Sequence, residues 1–165
     1  MNLATRIVVG GINIAATPHP SGIYRTLLES AANLTVGIGG SDFAKLTEPE
    51  LVSVDRNVMT GRICVWTEIE KTGDWFNKET NDKASDIDKE GVQIPETIAP
   101  NYRYFQYAID LTKHVLIFEM RTELNHSFGA RRALRFFGEL FAARADQQTE
   151  IDITVIPDGN CSRPI

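Results

Sequence analysis

Twenty-two residues, "NHSFGARRALRFFGELFAARAD" (125–146), hold four of the chain's eight phenylalanines and four of its arginines, and their spacing limits the folds open to the chain. With Ser127 as N-cap, the following residues project at 100° per residue so that Ala130, Ala133, Leu134, Phe136, Phe137, Leu140 and Phe141 fill an arc about 160° wide. A helix with that much aromatic surface on one side needs an apolar layer to lie on. Arg131, Arg132 and Arg135 occupy the opposite arc as one exposed ridge, with Glu139 four residues after Arg135. Such a ridge is either a solvated helix face or a set of planar donors for phosphate or an acidic partner.

The layer is supplied by β-rich runs. Thr5 to Ala16 is rich in Ile and Val and ends at "TPHPSG", whose two prolines pair in no sheet. Ser21 is the expected N-cap of a second amphipathic helix, Ser21–Asn33, with Ile23, Tyr24, Leu27, Leu28, Ala31 and Ala32 on one side. Met59 to Glu70 alternates as a strand, with Arg62, Cys64, Trp66 and Glu68 on one face. Tyr102–Leu111 and His114–Leu124 predict a hairpin about Thr112–Lys113, although neither turn residue favours positive φ. "TEIDITVIP" closes the order with a strand over Glu150 to Ile156, and extra strands are expected near Leu51 to Asn57. The expectation is α+β: one domain over residues 1–165, a mainly antiparallel sheet, and two amphipathic helices packed on it in a ferredoxin-like or related plan.

Residues 71–100 break this pattern. From Glu68 to Glu96 there are nine acids against four lysines, which predicts a solvated polar insertion with a short helix around Asp82 to Lys89. Within it Trp75 and Phe76 either form a satellite cluster under the loop or stand exposed as an aromatic anchor for a partner or a base. Asp86, Asp88 and Glu90 lack the glycine and distal glutamate of a calcium loop, so no metal site is expected. "GIGGS" at 37–41 lacks the lysine and spacing of a phosphate-binding loop and reads as a turn.

The net charge of −5 argues against a nucleic-acid-binding surface over the whole molecule, yet Arg103 to Arg144 carries seven basic residues against four acids. Cys64 and Cys161 show no ligand spacing and read as a reduced pair. No apolar run approaches the roughly 18 residues of a spanning helix. His19, His114 and His126 stand at no spacing diagnostic of a triad, so no catalytic residue and no cofactor is expected and each histidine reads as structural.

"DWFNKET", "IPETIAPNYRYFQYAIDLTKHVLIFE", the helix "GARRALRFFGELF" and the strand after it resemble a bacterial family known as domain of unknown function 4747. The resemblance covers most of the chain and implies a prokaryotic cytoplasmic protein from the accessory genome, where phage-defence and mobile-element genes gather. It brings no catalytic residues. It also implies an architecture continuing past the last strand, with this chain as its N-terminal part, whereas "IPDGNCSRPI" ends the sequence here. The expected function is therefore a non-enzymatic module that contacts nucleic acid or a protein partner through Arg131, Arg132, Arg135, Arg103, Trp75 and Phe76, with no membrane contact. The alternatives are a ribonuclease-like enzyme using His19 or His114 on a ferredoxin-like scaffold, and a structural subunit of a larger assembly. Pro157, Asp158 and Gly159 mark a turn after Glu150–Ile156, so that strand is expected at an edge and open to self-association.

Overall fold

A computed structural model describes residues 7–157. In chain order the elements are β1 (Val8–Thr17), α1 (Ile23–Ala31), β2 (Val36–Gly39), β3 (Asp42–Leu46), β4 (Glu50–Ser53), β5 (Val58–Thr67), β6 (Phe76–Asn77), β7 (Asp82–Lys83), α2 (Asp86–Glu90), β8 (Arg103–Asp110), β9 (Val115–Arg121), α3 (Ala130–Ala142) and β10 (Glu150–Ile156). The main sheet runs β10-β1-β9-β8-β5-β3-β2, with β4 also paired to β5, and its strand pairs are antiparallel. Its first four positions, β10-β1-β9-β8, combine with α1 and α3 into a β-α-β-β-α-β unit of the ferredoxin-like kind. The run β2 to β5 inserts between α1 and β8 and widens the sheet on one side.

Every strand of this sheet beyond β4 sends alternate residues under the helices. Ile12, Ile14, Leu116, Phe118, Phe105, Tyr107, Ile109, Met59, Ile63, Val65, Ala44, Leu46, Val36 and Ile38 are buried with the helix residues Tyr24, Leu27, Leu28, Ala31, Ala133, Phe136, Phe137, Leu140 and Phe141 in one core. Helix α3 touches both edge strands, β10 and β2, so the sheet curls around it. The α+β expectation holds, and the aromatic arc faces the core. Among the described residues no helix lies on the opposite face of the sheet, and Val9, Tyr104 and Ile117 stand there 40–50 % exposed.

Both N-cap expectations are corrected. Gly22, not Ser21, begins α1, in a left-handed conformation at φ 78 that suits glycine, and no side chain caps the helix. Gly129, not Ser127, begins α3, because Ser127 is still bridged to Arg121 and the Phe128 amide donates to the Met120 carbonyl. Helix α1 stops at Ala31, two residues before Asn33 turns to φ 65. The short helix of the insertion begins at Ser85, where a capping box with Asp88 satisfies two amides. The hairpin turn is closed by Asp110 Oδ1, which accepts the Thr112 and Lys113 amides at 2.9 Å, while His114 takes the left-handed position at φ 58. Two strands, β2 and β3, flank the turn that was expected at residues 37–41, and β2 takes up its first residues. The proposed beginning of β1 at Thr5 and the turn residues Asp158 and Gly159 lie outside the described residues, as does Cys161.

Tyr107 shows where this core is imperfect. Its hydroxyl is buried without a hydrogen-bond partner, and burial pushes its pKa far up. The ring lies across Gly61, where an added Cβ would meet Tyr107 atoms at 2.7–2.9 Å. Tyr107→Phe is expected to raise the stability by roughly 1–3 kcal/mol, the cost of an unsatisfied buried hydroxyl. Gly61→Val is expected to lower it by a similar amount through overpacking. Urea unfolding of the two variants checks both signs.

Candidate nucleic-acid interface

The arginines expected to form one ridge divide into two groups. Asp42, at the start of β3 on the helix side, accepts from Thr67 Oγ1 at 2.7 Å, from Arg103 Nη2 at 2.5 Å and from Arg132 Nη1 at 3.1 Å. Arg103 and Asp42 are about 15 % exposed, so this node ties α3 to β3, β5 and β8 in a largely desolvated place. Arg135 pairs with Glu139 through Nε at 3.1 Å on the exposed side, and Arg131 is exposed beside it. Arg103 and Arg132 thus neutralise a carboxylate of their own chain, and Arg131 and Arg135 remain at the surface.

Trp75 and Phe76 sit in the insertion, which has a two-stranded sheet of its own from β6 and β7. Trp75 Nε1 donates to the Glu70 carbonyl at 2.9 Å and its ring is half-buried, while Phe76 is 64 % exposed. Asp88 is spent on its capping box, and among the described residues no three His, Cys, Asp or Glu side chains gather as metal ligands.

The uncovered face of the main sheet carries a pattern that the expected site residues did not include. Cross-strand pairing sets Lys45 beside Cys64 and Cys64 beside Tyr104, with Phe43 beside Trp66 in the next row and Arg62 beside Gln106. The Arg62 guanidinium lies over the Tyr104 ring, 5.5 Å from its centroid. Tyr102 and Tyr104 stand 6.3 Å apart, and Phe43 and Trp66 6.4 Å apart and nearly parallel. Residues 96–99 of the insertion fold back beside this row, and with Lys45, Cys64, Trp66 and Tyr102 they line a cavity of about 450 Å³. Arg121 ends β9 on the same face, by alternation from Ile117 and Glu119. Glu68 and Glu119 border the row, Glu68 accepting from Trp66 Nε1 at 2.6 Å. The alternation of β5 alone separates Arg62, Cys64 and Trp66 from the core; their alignment with β3 and β8 needs the register.

At the other end of the sheet, His19, Tyr24 and His114 come together. The two imidazole centroids are 4.5 Å apart, and the Tyr24 ring stacks on His114 at 4.2 Å. Burial, and then the neighbouring His19, hold the His114 imidazole below its ordinary value against the pull of Asp110. His126 lies apart from this cluster, near the start of α3.

The node at Asp42 yields a pH-dependent stability. Burial alone would raise the Asp42 carboxyl, but the hydrogen bond from Thr67 and the charges of Arg103 and Arg132 outweigh it and hold the group below the usual carboxylate range. A lowered folded value means that the stabilisation is complete above the unfolded pKa and lost as pH falls through the folded one. Asp42→Asn is expected to cost roughly 1–3 kcal/mol at pH 7, the range of hydrogen bonds to charged groups, with the gap to the parent protein closing below about pH 4. Denaturant titrations at neutral and acidic pH measure it.

Neither a curated protein nor a solved structure matches the chain. A family model does, over residues 5–160, nearly the whole sequence and every residue that the structure describes. The chain therefore belongs to the family described as a domain of unknown function (DUF4747).

Proposed function

We propose that this protein binds single-stranded nucleic acid across the uncovered face of its sheet. The observation that carries the reading is Tyr104, 43 % exposed in a helix-free sheet face with the Arg62 guanidinium over its ring. Unpaired bases stack on aromatic faces and arginine planes, and a sheet with exposed aromatics accommodates successive bases without reading a duplex. Lys45, Arg62 and Arg121 are the cations available to phosphates there, while the net charge of −5 keeps long-range attraction weak. Stacking therefore carries most of the affinity. The proposal moves the contact away from Arg103 and Arg132, whose charges Asp42 takes up, and leaves Arg131 and Arg135 outside it. A cytoplasmic setting, where phage-defence and mobile-element systems meet nucleic acid, belongs to the same reading. Among the described residues no helix is long and apolar enough to cross a membrane.

Fluorescence anisotropy with labelled single-stranded RNA and DNA tests it. Tyr104→Ala and Arg62→Ala are each expected to weaken binding about 5- to 150-fold, the equivalent of ~1–3 kcal/mol for one stacked base. Three phosphate contacts give a salt slope of roughly −2. Binding that ignores both substitutions, or a duplex that competes as well as a single strand, removes the reading.

The sheet edge supports a second proposal, self-association through β10. This strand pairs with β1 on one side and ends the order of the sheet on the other. An edge offers a row of backbone donors and acceptors to another strand, here with Glu150 and Asp152 as the acidic residues that temper it. Sedimentation velocity over a concentration series is expected to show a reversible dimer; a monomer throughout sinks the proposal.

A further inference from the structure

Four polar side chains from two distant parts of the sequence meet where β1 leaves the sheet. His19 and Arg25 come from the β1–α1 connection and the first turn of α1, Tyr24 from the same turn, and His114 from the β8–β9 turn; together they line a cavity of about 240 Å³. Tyr24 Oη lies 3.0 Å from His19 Nδ1 and accepts the Ala16 amide at 3.1 Å. In the orientation with Nδ1–H as the donor of the bond to Tyr24 Oη, the Nε2 proton is the one His19 would deliver. Arg25 spends Nε on Glu29 at 2.8 Å, so its Nη groups remain as donors.

We infer that this cavity is a metal-independent ribonuclease centre, in which His114 is the base and His19 the acid acting on a single-stranded RNA held by the uncovered sheet face. The RNA delivery rests on the binding reading above; the centre itself rests on the paired imidazoles. His114 removes the proton of a ribose 2′-hydroxyl, and the 2′-oxygen forms a bond to the adjacent phosphorus. The bond from phosphorus to the 5′-oxygen breaks, and His19 protonates that oxygen. The products are a 2′,3′-cyclic phosphate and a 5′-hydroxyl; the proton gained by one imidazole equals the proton given by the other, and no further reactant is consumed. Arg25 neutralises charge on the non-bridging oxygens as the phosphorus becomes five-coordinate. Tyr24 is a positioning residue that sets the orientation of His19.

The geometry suits these roles. His114 is half-buried under the Tyr24 ring, and burial with the neighbouring His19 shifts its imidazole toward the neutral form that a base requires. His19 is exposed and so exchanges protons with water between turnovers. The backbone at His114, φ 58, is one that asparagine adopts more readily than histidine. A ring placed there for packing alone would therefore lose little on His114→Asn, whereas a base would lose its function.

The experiment uses the full chain, a labelled single-stranded RNA of mixed sequence, and chelated metal ions. The parent protein is expected to cut the RNA to ends bearing a cyclic phosphate and to leave a 2′-deoxy strand of the same sequence bound and uncut. His19→Ala and His114→Asn are each expected to slow cutting about 10²- to 10⁴-fold, the usual range for a general acid or base, while their unfolding curves show that both variants stay folded. Tyr24→Phe is expected to slow it less. RNA retained but never cut overturns the centre and leaves the binding reading standing, as does cutting that survives both histidine substitutions. Cutting that needs the histidines but ignores Tyr104→Ala and Arg62→Ala supports the centre and removes the sheet-face reading. Neither binding nor cutting overturns both.

Discussion

The aromatic face of α3 against the curled sheet is the interaction on which the rest of the structure depends. Phe136 and Phe137 meet at 5.1 Å and 61°, Phe137 stacks on Phe141, and Phe128, just before the helix, packs edge-on to Phe118 and Phe136. These rings are buried completely or nearly so, and truncating one such ring typically costs about 3–5 kcal/mol. A flat sheet of this width would leave the aromatic strip in contact with its middle and its edges in water. Bending both edges towards α3 buries the strip from β2 to β10. The curvature that covers one face turns the other outward, which is why Tyr104, Ile117 and Val9 face solvent without a second layer.

Electrostatics then fixes α3 along its own axis. Packing of phenylalanines tolerates small slides, but the Arg132–Asp42 contact at 3.1 Å requires one register of the helix over β3. Asp42 in turn holds Arg103 and Thr67, so the carboxylate is shared by donors from two strands and a helix and its desolvation is compensated. The same arrangement takes up the charge of two arginines. A count of basic residues in the segment from Arg103 to Arg144 therefore overstates the charge available to a ligand, and the remaining cations are distributed between the exposed side of α3 and the uncovered sheet face.

The legible part of the fold was periodic. The two amphipathic helices, β5, the β8–β9 hairpin and β10 all follow from spacing, because burial on one face imposes a period that the sequence must carry. What failed to show was non-periodic. Strands β2 and β3 are short, and Gly37, Gly39 and Gly40 mask the alternation of Val36, Ile38 and Ala44. The helix starts were misplaced by one or two residues because Ser21 and Ser127 have the chemistry of caps, while Gly22 takes the left-handed turn into α1 and Ser127 is bridged to Arg121. The ridge arginines were found on the correct side of α3, but an ion pair with a residue ninety positions away has no local signal. The same holds for the row Lys45, Cys64 and Tyr104 and for the histidine pair: cross-strand register and loop convergence assemble them, and neither leaves a mark in one-dimensional spacing.

One local irregularity lies at the second site. Thr112–Lys113 is a poor turn, and the structure resolves it by giving the positive φ to His114 instead of to a glycine or asparagine. A left-handed residue with a Cβ costs about 1–2 kcal/mol, and local choices that disagree with the fold are expected where a side chain is needed for something else. The His114 ring gains a stack on Tyr24, but that tyrosine is itself anchored by the Ala16 amide and needs no histidine to stay in place. Packing alone therefore gives no reason for an imidazole at this position. A second imidazole at 4.5 Å gives one, because a base and an acid at adjoining positions can exchange a proton with the same phosphodiester, and neither could do so from the β1–α1 connection or the β8–β9 turn alone.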